Sequence, residues 1–359
     1  MNRTAVASLV TAAVLGTAGG TAYAVLSAPD RADRVRDASS PTTSPTTDTG
    51  TSAGLFYFLH GTIHDGAAEV DVPGVDADLV IAVERTATGY LVVHHGPGED
   101  EQSAVHVTTD GEAWEIGRLR GGWDVSTDGE RMVLDTGDGW AVAVFAEERT
   151  EPLDVVDGLG TELPVMTDPL PGIALAATGV VTAWDADGAG QLVLTETDHW
   201  THTALGRPGF TDPVTSPDGT ALVATYDNPD YSPTNPVGSC LAGGAVDGPA
   251  GWWSACGTGP ASGTPYSADG RWLLTQTTVG DGPPPAELQV RNVLTGAVEH
   301  TIDPGGYRLD AEWGPAAGVV QVVTGEDGTA ALTLSRCDVA TGRCTAQLEA
   351  EGNLVLGSR

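Results

Sequence analysis

Ser126-Thr127-Asp128-Gly129, Ser216-Pro217-Asp218-Gly219 and Ser267-Ala268-Asp269-Gly270 are three copies of one turn. Each runs into an apolar stretch: Met132-Val133-Leu134, Leu222-Val223-Ala224 and Trp272-Leu273-Leu274. The pattern reads as a strand end, a tight turn and a new strand, because Asp caps such a turn with its side chain while Gly takes the positive φ that β-branched residues resist. The three aspartates lie 90 and 51 residues apart. With one degenerate unit in the longer gap, the period is about 45–50 residues.

A second device recurs later in two units. Asn292-Val293-Leu294-Thr295-Gly296 and Asp338-Val339-Ala340-Thr341-Gly342 each sit between alternating strands, as hairpins closed by a type I turn and a Gly bulge would. From Leu55 onward, short Val/Leu/Ala/Thr runs alternate with Gly, Asp and Pro turns every 8–12 residues or so, and no long stretch has helical periodicity. The fold class is therefore all-β, and a period near 40–50 with about four strands per unit is that of a β-propeller. Further units fall by interpolation at Trp123 to Val155, Pro164 to Leu205 and Phe56 to Leu119, the last long enough for more than one. Six or seven blades fit, and seven divides residues 55–359 more closely.

The Ser-x-Asp-Gly turn followed by the Asx-x-x-Thr-Gly hairpin resembles the TolB-like and WD40-like bacterial propeller repeats, well over about residues 122–350 and loosely over 55–121. The resemblance implies a fold and leaves function open, since propellers host many activities. It also implies that the Asp-Gly turns join the first and second strands on one face. Loops between second and third strands then emerge on the other, where ligands commonly sit.

Residues 1–28 read as a signal peptide or N-terminal membrane anchor. Arg3 precedes an uncharged run from Thr4 to Ala28 that contains Ala22-Tyr23-Ala24, a small-residue cleavage site. The run could span a bilayer if uncut, although Gly16, Gly19 and Gly20 make it a poor anchor. Residues 29–54 form a Ser/Thr/Pro-rich linker that cannot bury apolar surface and so stays disordered. The propeller occupies 55–359. Four cysteines, an even number in an exported chain, read as disulfides. Cys337 and Cys344 flank the Asp338–Gly342 turn symmetrically, and Cys240 with Cys256 forms the remaining pair. The expected location is extracytoplasmic, with the membrane touched only through an uncleaved N-terminal segment.

Charge excludes one partner class. The net charge of −33 falls wholly on residues 55–359, because the first 54 are balanced, and the chain has no lysine. Such a surface repels phosphate backbones and anionic headgroups, so nucleic acid is not a partner. The acidity serves solubility, or recruits cations or a basic partner.

No motif specifies catalysis. Gly50-Thr51-Ser52-Ala53-Gly54 matches G-x-S-x-G but lies in the linker, where no strand-to-helix elbow can form. Paired carboxylates for glycoside chemistry can be nominated anywhere among so many acids, so they distinguish nothing. The eight histidines, among them His60/His64 and His199/His202, read as solvent-facing strand residues rather than zinc ligands. Asp185-Ala186-Asp187-Gly188 and Asp227-Asn228-Pro229-Asp230 are oxygen-rich, yet neither follows the EF-hand order. A structural Ca²⁺ is the one cofactor they could suit. The tryptophans recur within strands, as residues filling the wedge between blades would. Adjacent Trp252 and Trp253 must point to opposite faces, which leads to the expectation that one is exposed.

The favoured reading is an exported, non-catalytic, monomeric propeller that binds a protein, peptide or cell-envelope component. A saccharide-acting hydrolase or lyase is the alternative. The recognition surface expected from the long loops Tyr226 to Ser239 and Thr278 to Glu287 comprises Tyr226, Asp227, Asp230, Tyr231 and Asp281, with Trp252 and Trp253 beside a disulfide that ties the first loop down. Export with cleavage after Ala24 predicts that N-terminal sequencing of the secreted protein starts at Val25; a full-length soluble cytoplasmic product would contradict it.

Overall fold

The structure, a computed structural model, describes residues 54–358 except 97, 99–100, 120–121, 127, 136–139, 146–154, 158–172, 177–178, 185–190, 197–201, 206–208, 233–236, 279–286 and 326–329. The N-terminal segment and nearly all of the linker lie outside the described residues, as do Asp281 and the Asp185–Gly188 loop. Among the described residues no helix is long and apolar enough to cross a membrane.

In chain order the strands begin with β1 (Phe56–Leu59), β2 (Thr62–Asp65) and β3 (Ala68–Asp71), then β4 (Val80–Thr86), β5 (Gly89–His95), β6 (Gln102–Thr108) and β7 (Ala113–Leu119). Next come β8 (Trp123–Val125), β9 (Arg131–Asp135), β10 (Trp140–Val144) and β11 (Val155–Asp157). The following set is β12 (Ile173–Ala176), β13 (Gly179–Trp184), β14 (Gln191–Glu196) and β15 (His202–Leu205). It is succeeded by β16 (Phe210–Thr215), β17 (Ala221–Asp227), β18 (Ser239–Ala245) and β19 (Trp253–Cys256). Then follow β20 (Thr258–Pro260), β21 (Trp272–Thr277), β22 (Leu288–Asn292) and β23 (Val298–Ile302). The chain finishes with β24 (Tyr307–Trp313), β25 (Val319–Gly325), β26 (Ala331–Asp338), β27 (Arg343–Glu351) and β28 (Leu354–Ser358).

From β8 to β27, each set of four is one antiparallel sheet whose strands neighbour one another in sequence order. The chain ends break this rule. β28 pairs antiparallel with β1, at Tyr57↔Leu356, and parallel with β4, at Gly357↔Val83, so that the order β3-β2-β1-β28-β4-β5-β6-β7 runs through one sheet. The last strand thus completes the unit that β1–β3 begin. The unit between the first two Asp-Gly turns is β12–β15, in the gap where spacing required one.

Side chains alternate between two neighbours. On β17, Leu222 and Ala224 pack with Ala176, Val181 and Leu205 of the preceding sheet, while Ala221 and Val223 pack with Leu273 and Val293 of the following one. Both faces are therefore apolar, and the strands read as continuous Val/Leu/Ala runs. Each large side chain so buried contributes roughly 1.5–3 kcal/mol.

All three Ser-x-Asp-Gly turns share one set of bonds. Gly129, Gly219 and Gly270 have φ near +67°, +65° and +67°, and their amides donate to the carbonyls of Ser126, Ser216 and Ser267. Each serine hydroxyl donates to the aspartate Oδ1, at 2.5, 2.7 and 2.7 Å, and its oxygen accepts from the amide of the residue opening the next strand. In the second device, the Gly296 and Gly342 amides donate to the carbonyls of Asn292 and Asp338, as the bulged hairpin requires.

Cys240–Cys256 and Cys337–Cys344 are disulfides between directly opposed residues, on β18/β19 and β26/β27. Loop closure by the two should contribute about 3 and about 2.5 kcal/mol respectively. Titration of the unfolded, unreduced protein is expected to find no reactive thiol, and reduction should lower the melting temperature.

Candidate binding site at the centre of the ring

The first strands of the sheets converge. β8 contacts β12, β12 contacts β16, and β28 contacts both β24 and β4. A cavity of about 150 Å³ is lined by Arg85 of β4, Thr215 of β16, and Glu312 and Trp313 of β24, together with Thr264 and Tyr266 ahead of β21. Residues from non-adjacent sheets meet here, which places the cavity at the centre. Thr215, Pro217 and Ala268 also line a second cavity of about 490 Å³. That one is ringed by Ser126, Asp128, Ser216, Asp218 and Asp269 of the three Ser-x-Asp-Gly turns, with Arg131 beside them. It forms a mouth on the Asp-Gly face.

The inner strands carry buried carboxyls. Asp124 accepts from the Leu175 amide at 2.7 Å and from the Thr215 hydroxyl at 3.4 Å, and that hydroxyl also donates to the Leu175 carbonyl, so one side chain ties β8 to β12 and β16. Glu84 accepts from the Trp123 indole at 2.9 Å and links β4 to β8. Asp310 accepts from the Ala311 and Leu356 amides. Asp124 and Asp310 satisfy backbone donors at inner edges that no further strand covers, and Glu84 satisfies a side-chain donor.

Burial is the main cause of the resulting pKa shifts. It pushes Asp310 up to about 6, against the pull of its amide donors and of Arg308. Glu312 is pushed well above the usual carboxylate range by burial and then by Asp310, with Glu84 adding to the effect. At the mouth the shifts reverse. The Ser126 hydroxyl holds Asp128 low, and at Asp218 the hydrogen bonds from Ser216 and Thr220 outweigh partial burial. Each turn aspartate takes its turn bonds on Oδ1; among the described residues none falls on Oδ2.

The loop face looks different. Tyr226 is half-buried with its ring edge-on to Phe210, and Tyr231 is 64% exposed. Asp227 and Asp230 are exposed, and Asn228 is folded into the turn between them, its amide donating to the Val237 carbonyl and its oxygen accepting from the Asp230 amide. Neither Trp252 nor Trp253 is exposed, contrary to expectation. Trp252 packs on Phe210 and donates to the Ala245 carbonyl; Trp253 donates to the Val293 carbonyl and lies against Gly296. A sheet between two others has no free face for either ring. His106 likewise departs from the solvent-facing reading: it is buried, stacked on Phe145 and hydrogen-bonded to Thr86. Among the described residues no group of three or more His, Cys, Asp or Glu is placed to hold a metal ion.

No family model and no curated protein matches the sequence. Solved structures do match the fold. A chain of the mitotic checkpoint complex is 14% identical, with 92% of each chain covered and a TM-score of 0.50. The tricorn protease is 11% identical, covering 84% of this chain but 34% of its own, with a TM-score of 0.52. TolB from Acinetobacter baumannii is also similar, at 14% identity, 79% and 67% coverage and a TM-score of 0.46. The fold is a β-propeller. At these identities the likeness concerns fold alone.

Raised carboxyl pKa values have a defined effect on stability. The unfolded chain ionises near pH 4 and the folded one only later, so stability is highest below about pH 4 with respect to these groups and falls as pH rises, for Asp310 through about 6. Asp128 and Asp218 act oppositely, losing their contribution as pH falls below about 4. Glu312→Gln is therefore expected to raise the melting temperature at pH 8 and to leave it nearly unchanged at pH 4.5; an equal shift at both would contradict the assignment.

Proposed function

We propose that this is an exported, non-catalytic propeller of seven four-stranded blades that binds a basic protein or cell-envelope partner at the mouth of its central channel. The carrying observation is the cavity of about 490 Å³ ringed by Asp128, Asp218 and Asp269, each presenting a carboxylate oxygen that its own turn leaves unused. Such oxygens suit lysine or arginine side chains, and a net charge of −33 draws a basic partner by long-range attraction. The blade count is supported by β28, which supplies the fourth strand to β1–β3. Export is supported by the Ala22-Tyr23-Ala24 site and by two disulfides, which persist in oxidising compartments.

Two variants locate the surface. Asp128→Asn/Asp218→Asn/Asp269→Asn removes the mouth charges, and a short Gly-Ser linker in place of residues 228–237 removes the opposite loop. Pull-downs from cell-envelope fractions, read by mass spectrometry, are expected to lose the partner with the first variant and keep it with the second. Retention by the first and loss by the second would move recognition to the loop face.

A further inference from the structure

The smaller cavity holds a feature that packing alone does not explain. Tyr266 is 6% exposed and lines the cavity, and its hydroxyl has no hydrogen-bond partner among the described residues. Buried hydroxyls are nearly always paired, and an unpaired one is costly. Elsewhere on the same lining, Glu312 accepts from the Thr264 hydroxyl at 2.7 Å, and the charged group that acts on the Tyr266 hydroxyl is Asp218 of the mouth. Two more carboxyls, Asp310 and Glu84, lie close enough to act on Glu312 electrostatically. Two arginines are close: Arg85, which lines the cavity, forks onto Asp65 at 2.8 and 2.5 Å, and Arg308, which acts on Asp310, reaches the Gln276 side-chain oxygen. Acidic groups thus exceed basic ones around a small chamber whose other walls include Val214, Pro217, Trp313 and Pro315.

We propose that this cavity is a receptor for a primary ammonium group on a short alkyl stem, with Glu312 as counter-ion and the Tyr266 and Thr264 oxygens as further acceptors. An ammonium offers three donors and no acceptor, which suits three oxygens in one chamber, and the apolar walls suit the stem. A cavity of about 150 Å³ has room for a butyl chain and little more. A bound cation also opposes the burial and neighbouring carboxyls that raise the Glu312 pKa. The ammonium can come from a free alkylamine or from a lysine side chain entering by the mouth, since the two cavities share Thr215, Pro217 and Ala268. For a free amine the inference rests on the fold and not on the partner reading, so either can fail alone.

The test is calorimetric titration of the exported chain with n-butylammonium chloride, with n-butanol as the neutral counterpart. Saturable binding of the amine is expected, with n-butanol much weaker. Glu312→Gln should weaken binding about 100-fold, and Tyr266→Phe, which removes only the hydroxyl, about tenfold. Both variants should keep the wild-type circular dichroism; if Glu312→Gln does not fold, Tyr266→Phe decides. No binding of n-butylammonium, equal binding of n-butanol, or affinity unchanged in the variants would overturn the proposal. A short peptide with one lysine, compared with its norleucine counterpart, separates the sources. Lysine-dependent binding tighter than that of n-butylammonium assigns the pocket to a partner's side chain, and weaker binding assigns it to a free amine.

Discussion

β28 holds β1 on one edge and β4 on the other, and the rest of the molecule depends on that placement. A four-stranded sheet with two apolar faces cannot stand in water; it needs a neighbour on each side. For the inner sheets the chain supplies both neighbours in sequence order. For the first unit it does so only by returning after about 300 residues to insert Leu354–Ser358 beside Phe56–Leu59. Gly357 makes the fit possible, since a Cβ there would lie 2.3 Å from the Phe56 ring. Closure removes the open ends that a linear stack would leave, and with them two apolar sheet faces that would otherwise associate with other chains.

Closure brings the inner strands together at a cost. Their inner edges carry backbone donors that no further strand can pair, and buried carboxyls meet that need: Asp124 across β8, β12 and β16, and Asp310 toward β28, while Glu84 takes the Trp123 indole. Gln321 does the same between β25 and β1, where its side chain bonds both the amide and the carbonyl of Phe56. Carboxyls used this way cannot all ionise freely in one small volume, so the devices that hold the sheets in register also make the centre rich in buried carboxyls with raised pKa values.

The candidate residues divide by their distance in sequence from their partners. The bonds within Ser126–Gly129, Ser216–Gly219 and Ser267–Gly270 connect residues two to five positions apart, so they are legible as turns in a single reading, and so is the Cys337–Cys344 pair across its hairpin. That the same turns ring one cavity is not legible, because Asp128, Asp218 and Asp269 are brought together only by the rotation between successive sheets. Glu312 and Tyr266 carry no local signature either. Each is an ordinary residue in or beside a strand; the character of Glu312 comes from burial, Asp310, Thr264 and Glu84, the last 228 positions away, and that of Tyr266 from burial and Asp218, 48 positions away. Trp252 and Trp253 show the converse. Period-two alternation sends them to opposite faces, but only the neighbouring sheets determine that both faces are covered.

The sequence by itself determined the all-β class, the repeating unit and the pairing of its cysteines, because Asp-Gly turns, Gly bulges and hairpin spacing act within a few residues of one another. The charge imbalance was equally plain, since it needs only composition. Tertiary structure alone decided which strand closes the ring, which aspartates face a common mouth, and why a buried glutamate resists ionisation. These depend on contacts between sheets and on exclusion of water from the centre, and neither leaves a periodic trace along the chain.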